Sequence, residues 1–348
     1  MKRIVFYFWA ASIIVSTAFF SCKKNNDDGN GGGGSGKNQI TMVTAKAKVG
    51  FYMSGTGNMT IDWGDGTTIE SFTLTDEPTD YEHQYLSDDE HTILINGKVT
   101  HFHCGQNGLT HLDANTPTLI ELTCQWNYLT DLDVSKCSAL MILGCVGNEM
   151  VSLNVSRCTE LTTIFCNINK INSLNINGCT ALLSLVCEEN ELTDLDLNQC
   201  PKLSGLTCRR NKLTKLDVSK CPALDDLSCG GNKLTDLDVS KNTALTWLDC
   251  GGNELTHLDV NRCTELRFLS CPYNKLTDLD LSQCIALGCE LYSSVASNNL
   301  STAALNALFE TLHDNPIHGK GIIISNNPGT TDCDRSIAED KGWKVLDW

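Results

Sequence analysis

Residues 208–229 read CRRNKLTKLDVSKCPALDDLSC, with cysteines separated by 13 and then 8 residues. Their sum is the period of the chain. The frame CxxNxLTxLDVSxCxxLxxL recurs with its first cysteine at 104, 124, 145, 166, 187, 208, 229, 250 and 271, one step of 20 and the rest of 21. A unit this small cannot bury an apolar face alone, so successive units must stack and share one core. Parallel strands stacked at about 4.8 Å set equivalent residues above one another, and each fixed letter of the frame becomes a ladder.

In this alignment LxxLxCxxNxL resembles the leucine-rich repeat signature LxxLxLxxNxL, with cysteine in place of the third leucine. Leu182, Leu185, Cys187, Asn190 and Leu192 make one copy, and Leu203, Leu206, Cys208, Asn211 and Leu213 the next. The resemblance implies an α/β repeat fold. Each coil of a leucine-rich repeat solenoid would add a short strand to a parallel ladder on the concave face, then an asparagine turn and a return segment. It also implies ligand binding on that concave face. The asparagines from Asn107 to Asn274 are expected to satisfy turn backbone groups rather than to bind or catalyse.

Nine of the 19 cysteines occupy the strand ladder, and seven form a second one: Cys137, Cys158, Cys179, Cys200, Cys221, Cys263 and Cys284, with Asn242 at the missing step. An amide cannot replace a disulfide partner, so the ladders read as small, free, core-facing thiols. Cross-rung bridges fall within disulfide distance but would be strained. Cys289 and Cys333 lie outside both ladders and are the pair to expect if one exists. No CxxC occurs, so tetrahedral zinc is disfavoured, and His101 and His103 in HFHC read as a polar rim rather than metal ligands. The acidic ladder from Asp113 to Asp280, interrupted by Asn154 and Asn175, has two readings: turn capping, which the interruptions favour, or calcium bridging.

Both ends leave the frame. Residues 39–102 alternate as strands (ITMVTAKAKVGFYM, NMTIDWGDGTTI, HTILING) and predict a small β domain that caps the repeats at 103–297. IDWGDGT followed by YEHQY resembles the PKD-type β-sandwich, with Asp62 and Asp65 read as turn-makers. After Cys284 the frame slips by three residues, leaving Val295 where a cysteine is due. STAALNALFETLHD then places Leu305, Leu308, Phe309 and Leu312 at helical spacing behind Ser301 as N-cap, opening a C-terminal α/β cap over 298–348.

The start, MKRIVFYFWAASIIVSTAFFSC, has Lys2 and Arg3 before an apolar run of 17 residues and a small residue before Cys22. This is export-signal architecture, and it resembles the lipobox of bacterial lipoproteins, with 1–21 removed and Cys22 acylated. An uncleaved membrane helix is the alternative. Residues 22–38, glycine-rich and without an apolar side chain after Cys22, read as a flexible tether. Asp27 and Asp28 behind the lipid cysteine resemble surface-exported lipoproteins of the Bacteroidetes, implying an outer-membrane or cell-surface location.

The formal charge is −16, from 26 basic and 42 acidic residues. That balance disfavours nucleic acid and anionic membrane surfaces as partners, leaving the lipid anchor as the membrane contact. No GxSxG, HExxH, phosphate-loop or dinucleotide motif occurs, so no enzymatic activity and no cofactor are expected. Binding is the remaining class. Outward positions beside the strand cysteines are mostly small or polar, with two exceptions. Ile142, Phe165, Ile168 and Val186 form one group; Trp247, Phe268 and Tyr273, with Asp226 and Asp249, form the other. Trp126 stands nearer the first end, and Arg209 and Arg210 lie between the groups, where they could steer an anionic partner. Such clusters either form protein hot spots and sugar-stacking platforms or pack among themselves. The expected function is protein binding for adhesion or partner recognition; a glycan-binding accessory protein and a spacer without ligand are the alternatives.

Overall fold

The computed structural model describes residues 38–288 and 291–348. The signal segment, Cys22, the tether up to residue 37 and Cys289 lie outside the described residues. No helix among the described residues is long and apolar enough to cross a membrane.

The chain begins with antiparallel strands: β1 (Gln39–Thr44), β2 (Lys48–Asp62), β3 (Glu70–Leu74), β4 (Thr79–Gln84), β5 (His91–His103) and β6 (Leu109–Asp113). Strand β2 pairs with β3, β4 and β5, and β1 with β5 and β6. Alternation puts Val49, Phe51, Met53, Met59 and Ile61 inside. The IDWGDGT stretch closes β2 with two side-chain-capped turns. Asp62 Oδ1 accepts from Gly64 N at 3.0 Å, and Asp65 Oδ1 accepts from the Thr67 amide and hydroxyl. Trp63 is buried and stacks on His83 at 4.7 Å, and His83 also pairs with Asp65 at 2.8 Å.

Strand β5 changes partners along its length. On one edge its start pairs antiparallel with β1 and His101–His103 pairs parallel with Glu121–Thr123, while β2 stays antiparallel on the other edge as far as His103, so the last three residues form the first rung of the solenoid. The ladder continues through β7 (Glu121–Thr123), β8 (Ile142–Gly144), β10 (Thr163–Phe165), β12 (Ser184–Val186), β13 (Gly205–Thr207), β14 (Asp226–Ser228), β15 (Trp247–Asp249), β16 (Phe268–Ser270), β17 (Ser293–Ser294), β18 (Gly321–Ile323) and β19 (Lys344–Leu346). The result is a leucine-rich repeat solenoid of about 12 turns. A second two-stranded parallel sheet, β9 (Ser152–Asn154) with β11 (Ser173–Asn175), lies on the return segments. Helix α1 (Thr302–Thr311), capped by the Ser301 hydroxyl to Ala304 N, buries Leu305, Leu308 and Phe309; the short α2 (Ser336–Glu339) follows.

The core is built from ladders. Each of the 16 ladder cysteines is fully or almost fully buried and stands as a free thiol. In the second ladder Cys158 Sγ donates to Val134 O at 3.4 Å and Cys179 Sγ to Val155 O at 3.5 Å, each 24 residues earlier. Asn242 Nδ2 donates to the carbonyl at the same offset, Val218 O at 3.0 Å. Thiol and amide interchange because both supply a donor at one place.

Asparagines join the coils. Asn190 Nδ2 donates to Cys166 O in the preceding coil and Cys187 O in its own, and its Oδ1 accepts from Ile171 N at 2.9 Å. The acidic ladder caps turns: Asp133, Asp196, Asp217, Asp238, Asp259 and Asp280 each accept the amide two residues on, at 2.8 to 3.0 Å. Asn154 and Asn175 do the same at 3.1 Å, which is why they fit the row.

Candidate concave binding face

In each rung the central residue points inward and its two neighbours point out, giving two outward columns. Strand register places Asp226, Trp247 and Phe268 consecutively in one column, and Ser228, Asp249 and Ser270 in the other. Trp247 and Phe268 stack at 3.9 Å between ring centroids and 23° between planes. Pairing of Ser270 with Ser294 puts Tyr292 next in the column, a residue the sequence reading missed. It stands three residues before Val295, as Phe268 stands before Cys271; counting back from the substituted cysteine would have found it. A Cβ on Gly321 would come within 2.8 Å of the Tyr292 ring, so the tyrosine leans over the next coil.

Stacked rings on successive rungs stand upright. Their faces cover one another and their edges point outward, where the aromatic quadrupole is positive. Arg209 reaches across an intervening coil to Asp249, Nη1 to Oδ2 at 3.3 Å, and Asp249 Oδ1 accepts from Gly251 N. The intervening position is Gly230, one of four glycines with Gly231, Gly251 and Gly252 that leave two adjacent coils bare of side chains beside the aromatic column. A Cβ on Gly230 would lie 2.8 Å from Gly251 O and one on Gly251 2.9 Å from the Pro272 ring.

Arg210, Trp126, Ile168 and Tyr273 occupy a different position. Each precedes a ladder asparagine, and each has left-handed backbone, with φ of 50°, 56°, 57° and 55°. Gly147, Gly231 and Gly252 fill the same turn position in other coils, at φ of 66° to 70°. Side chains there form a ridge along the turn edge, beside the columns rather than within them. Tyr273 is 68% exposed and Trp126 44%. The Trp126 indole lies on Gly147, where a Cβ would come within 2.4 Å of it. Arg210 forms an ion pair with Glu189.

The structure therefore brings together Asp226, Trp247, Phe268, Asp249 and Arg209, flanks them with Arg210 and Tyr273, and keeps Trp126 several coils away. Ile142 stands in the Trp247 column and Phe165 in the Asp249 column, on adjacent rungs, with Val186 in register after Phe165. At the first rungs His101 Nδ1 lies 3.1 Å from Ser54 Oγ, and His103 Nδ1 lies 2.7 Å from Thr123 Oγ1. Burial lowers the affinity of both imidazoles for a proton, and raises that of the Glu121 carboxyl. Among the described residues no group of three or more His, Cys, Asp or Glu is placed to hold a metal ion.

No family model and no curated protein matches the chain. Solved structures similar to it include the leucine-rich repeat domain of APL1B, at 20% identity and a TM-score of 0.54, covering 65% of this chain and 67% of that one. The functional domain of InlJ from Listeria monocytogenes, described as including a cysteine ladder, is 27% identical with a TM-score of 0.41; the match covers 65% of this chain and 64%, less than two thirds, of that one. The internalin inlF from Listeria monocytogenes is 20% identical with a TM-score of 0.46, covering 72% of this chain and 86% of that one. The APL1B likeness agrees with the leucine-rich repeat fold.

Proposed function

We propose that this chain is a non-enzymatic, surface-exposed lipoprotein, anchored through Cys22, that binds another protein on its concave face. The segment 39–102, with its PKD-like stretch, and the segment 298–348 serve as caps of the repeats. The observation that carries the reading is the upright Trp247–Phe268 stack, continued by Tyr292 and bordered by the Arg209–Asp249 pair over bare glycine backbone. A sugar platform offers an open ring face. Here the two stacked rings cover each other and present edges, which suit backbone carbonyls and apolar side chains of a protein surface.

The test compares wild type with a Trp247→Ala, Phe268→Ala, Tyr292→Ala variant, and with Tyr273→Ala separately, on protein and glycan arrays. Loss of a central aromatic anchor costs about 2 kcal/mol, roughly 30-fold in affinity. Protein ligands are expected to lose at least that factor in the triple variant and less with Tyr273→Ala. Equal binding by all variants overturns the concave site, and a signal confined to glycans assigns the face to sugars. Metabolic labelling with palmitate, lost in Cys22→Ala, tests the anchor.

A further inference from the structure

Outside the Trp247 column, Trp126 is set apart by how its ring is held. Gly147 occupies the same turn position one coil on, and a Cβ there would come within 2.4 Å of the indole Cε3, 2.7 Å of Cζ3 and 2.8 Å of Cδ2. Cζ3 and Cδ2 are the two ring atoms bonded to Cε3. A point that close to all three lies above the ring plane, since an approach within the plane would leave both flanking atoms much farther off. The indole therefore rests with one face flat on the Gly147 backbone. It is nonetheless 44% exposed, so its opposite face is open to solvent. The left-handed backbone of this turn admits other residues, as Trp126 and Ile168 show; at Gly147 it is the ring above that demands glycine.

Polar groups stand beside the open face. Tyr128 is 64% exposed and follows in the same turn, while the buried Asn127 between the two points inward. Among the described residues neither Trp126 Nε1 nor the Tyr128 hydroxyl is bonded to protein, and no second ring or cation covers the indole. The surroundings are neutral. The two positions before the ladder asparagine carry no Asp, Glu, Lys or Arg in the four coils from Gly105 to Ile168, whereas the next two coils carry Glu188, Glu189, Arg209 and Arg210. Lys46 Nζ is taken up by Gln106 O at 2.6 Å, and Glu149 in the coil after Tyr128 pairs with Lys170. An aromatic face is negative and attracts the weakly positive C–H groups of a ring laid against it, while a free N–H and O–H at its rim serve hydroxyls. A protein anchor would project from the surface into a partner's pocket, and this indole lies flat.

The geometry points to a carbohydrate-binding platform at Trp126 and Tyr128. The apolar face of a neutral pyranose stacks on the open side of the indole, and its hydroxyls bond to Trp126 Nε1 and the Tyr128 hydroxyl. This site does not rest on the reading of the Trp247 column as a protein-binding surface. The two lie six coils apart, roughly 29 Å at about 4.8 Å per coil.

The experiment labels the mature chain with 5-fluorotryptophan and follows the Trp126 signal by NMR, assigned through its absence in Trp126→Phe. Maltohexaose, cellohexaose, mannohexaose and chitohexaose are titrated separately to about 10 mM, tenfold above a 1 mM Kd. The expected result is a saturable shift of the Trp126 signal with at least one of them and an unmoved Trp247 signal. Binding of that oligosaccharide, measured by calorimetry, is expected to vanish in Trp126→Ala. It should weaken at least tenfold in Gly147→Asn, which tolerates the left-handed turn and lifts the indole off its seat. Tyr128→Phe, which removes only a hydroxyl, should weaken it by about 2- to 10-fold. Unchanged signals from the other tryptophans show that each variant is folded. No shift with any of the four sugars, equal affinity in Trp126→Ala, or a shift confined to Trp247 overturns the proposal. Loss of protein capture in Trp126→Ala, with no oligosaccharide bound by wild type, makes the ring a protein anchor and overturns it as well. The same sugar affinity in the Trp247, Phe268, Tyr292 variant leaves this platform standing even if the aromatic column fails.

Discussion

At the scale of the residue, cysteine is used here for size and for one weak donor. A thiolate would be intolerable in these positions, and burial pushes Cys166 up to about 12 and Cys158 to about 11, from an ordinary 9.0. A raised folded value has a definite sign in the stability curve. Below pH 9 both states keep the proton and the stabilisation is complete; as pH rises from about 9 towards 12, the unfolded chain loses protons that the fold retains, and stability falls. The thiols contribute no slope between pH 6 and 8, and the urea midpoint is expected to drop steeply above 9. Removing one thiol with Cys166→Ala lowers overall stability but makes that alkaline slope shallower by up to about 1.4 kcal/mol per pH unit; an unchanged slope would refute the role of the ladder. The sequence made the burial legible, because Cys alternates with outward residues in each rung. The left-handed turn before each ladder asparagine was not legible, since Trp126, Ile168, Arg210 and Tyr273 share that position with glycines and no single residue type marks it. Holding Ile168 there costs about 1 kcal/mol or more, which the fixed coils on either side enforce.

At the scale of the element, what matters is how one coil is bonded to the next. Strand hydrogen bonds join the concave side, and the asparagine turn does so at its edge. Asn190 is 7% exposed and bonds four backbone groups in two coils at once. Asn190→Ala leaves those groups without partners in a place water does not reach, and each buried unsatisfied group costs about 1–3 kcal/mol. We expect a loss of about 3 kcal/mol, read as a fall in the denaturation midpoint, with hydrogen exchange accelerated first at Ile171 and in the flanking coils. Uniform acceleration along the whole chain would instead mean that the solenoid opens as one cooperative unit rather than coil by coil. Period and rung positions were readable because each coil repeats the same core letters. Two features escaped for physical reasons. In strand β5 the inward alternation breaks between Val99 and Phe102, which reads equally as a bulge, so its letters do not mark where antiparallel pairing with β1 on one edge gives way to parallel stacking on β7 while β2 stays paired along the other. Tyr292 was hidden by the three-residue slip after Cys284, which moves it out of the 21-residue count while strand pairing keeps it in the aromatic column.

At the scale of the whole molecule, stacking sets like charges above one another over the length of the solenoid. Part of that repulsion is locally relieved. Lys170 pairs with Glu149, Lys212 with Glu191 and Lys275 with Glu254, neighbouring coils in each case. No lysine or arginine pairs across coils with the acidic ladder among the described residues, though Asn115 Nδ2 donates to Asp133 Oδ2 at 2.7 Å; each Asp spends one oxygen on its turn amide, and the amide and hydroxyl of Ser135 and Ser219 are the largest causes holding Asp133 and Asp217 below the ordinary carboxylate range. The chain as a whole remains at −16. Self-repulsion of this kind is long-ranged and screened by salt, with a Debye length of about 30 Å at 0.01 M and about 8 Å at 0.15 M. Thermal melts are therefore expected to show Tm rising as sodium chloride is raised across that range. The same experiment separates the two readings of the acidic ladder. If its carboxylates serve the turns, CaCl2 and MgCl2 at equal ionic strength raise Tm equally, because both act only as screening ions. If adjacent rungs share calcium, CaCl2 gives a saturable increase that MgCl2 does not match, since carboxylates on flexible edges accommodate the larger ion and Mg2+ dehydrates reluctantly. The turn bonds at 2.8 to 3.0 Å, and asparagines that make them equally well at 154 and 175, predict the first outcome.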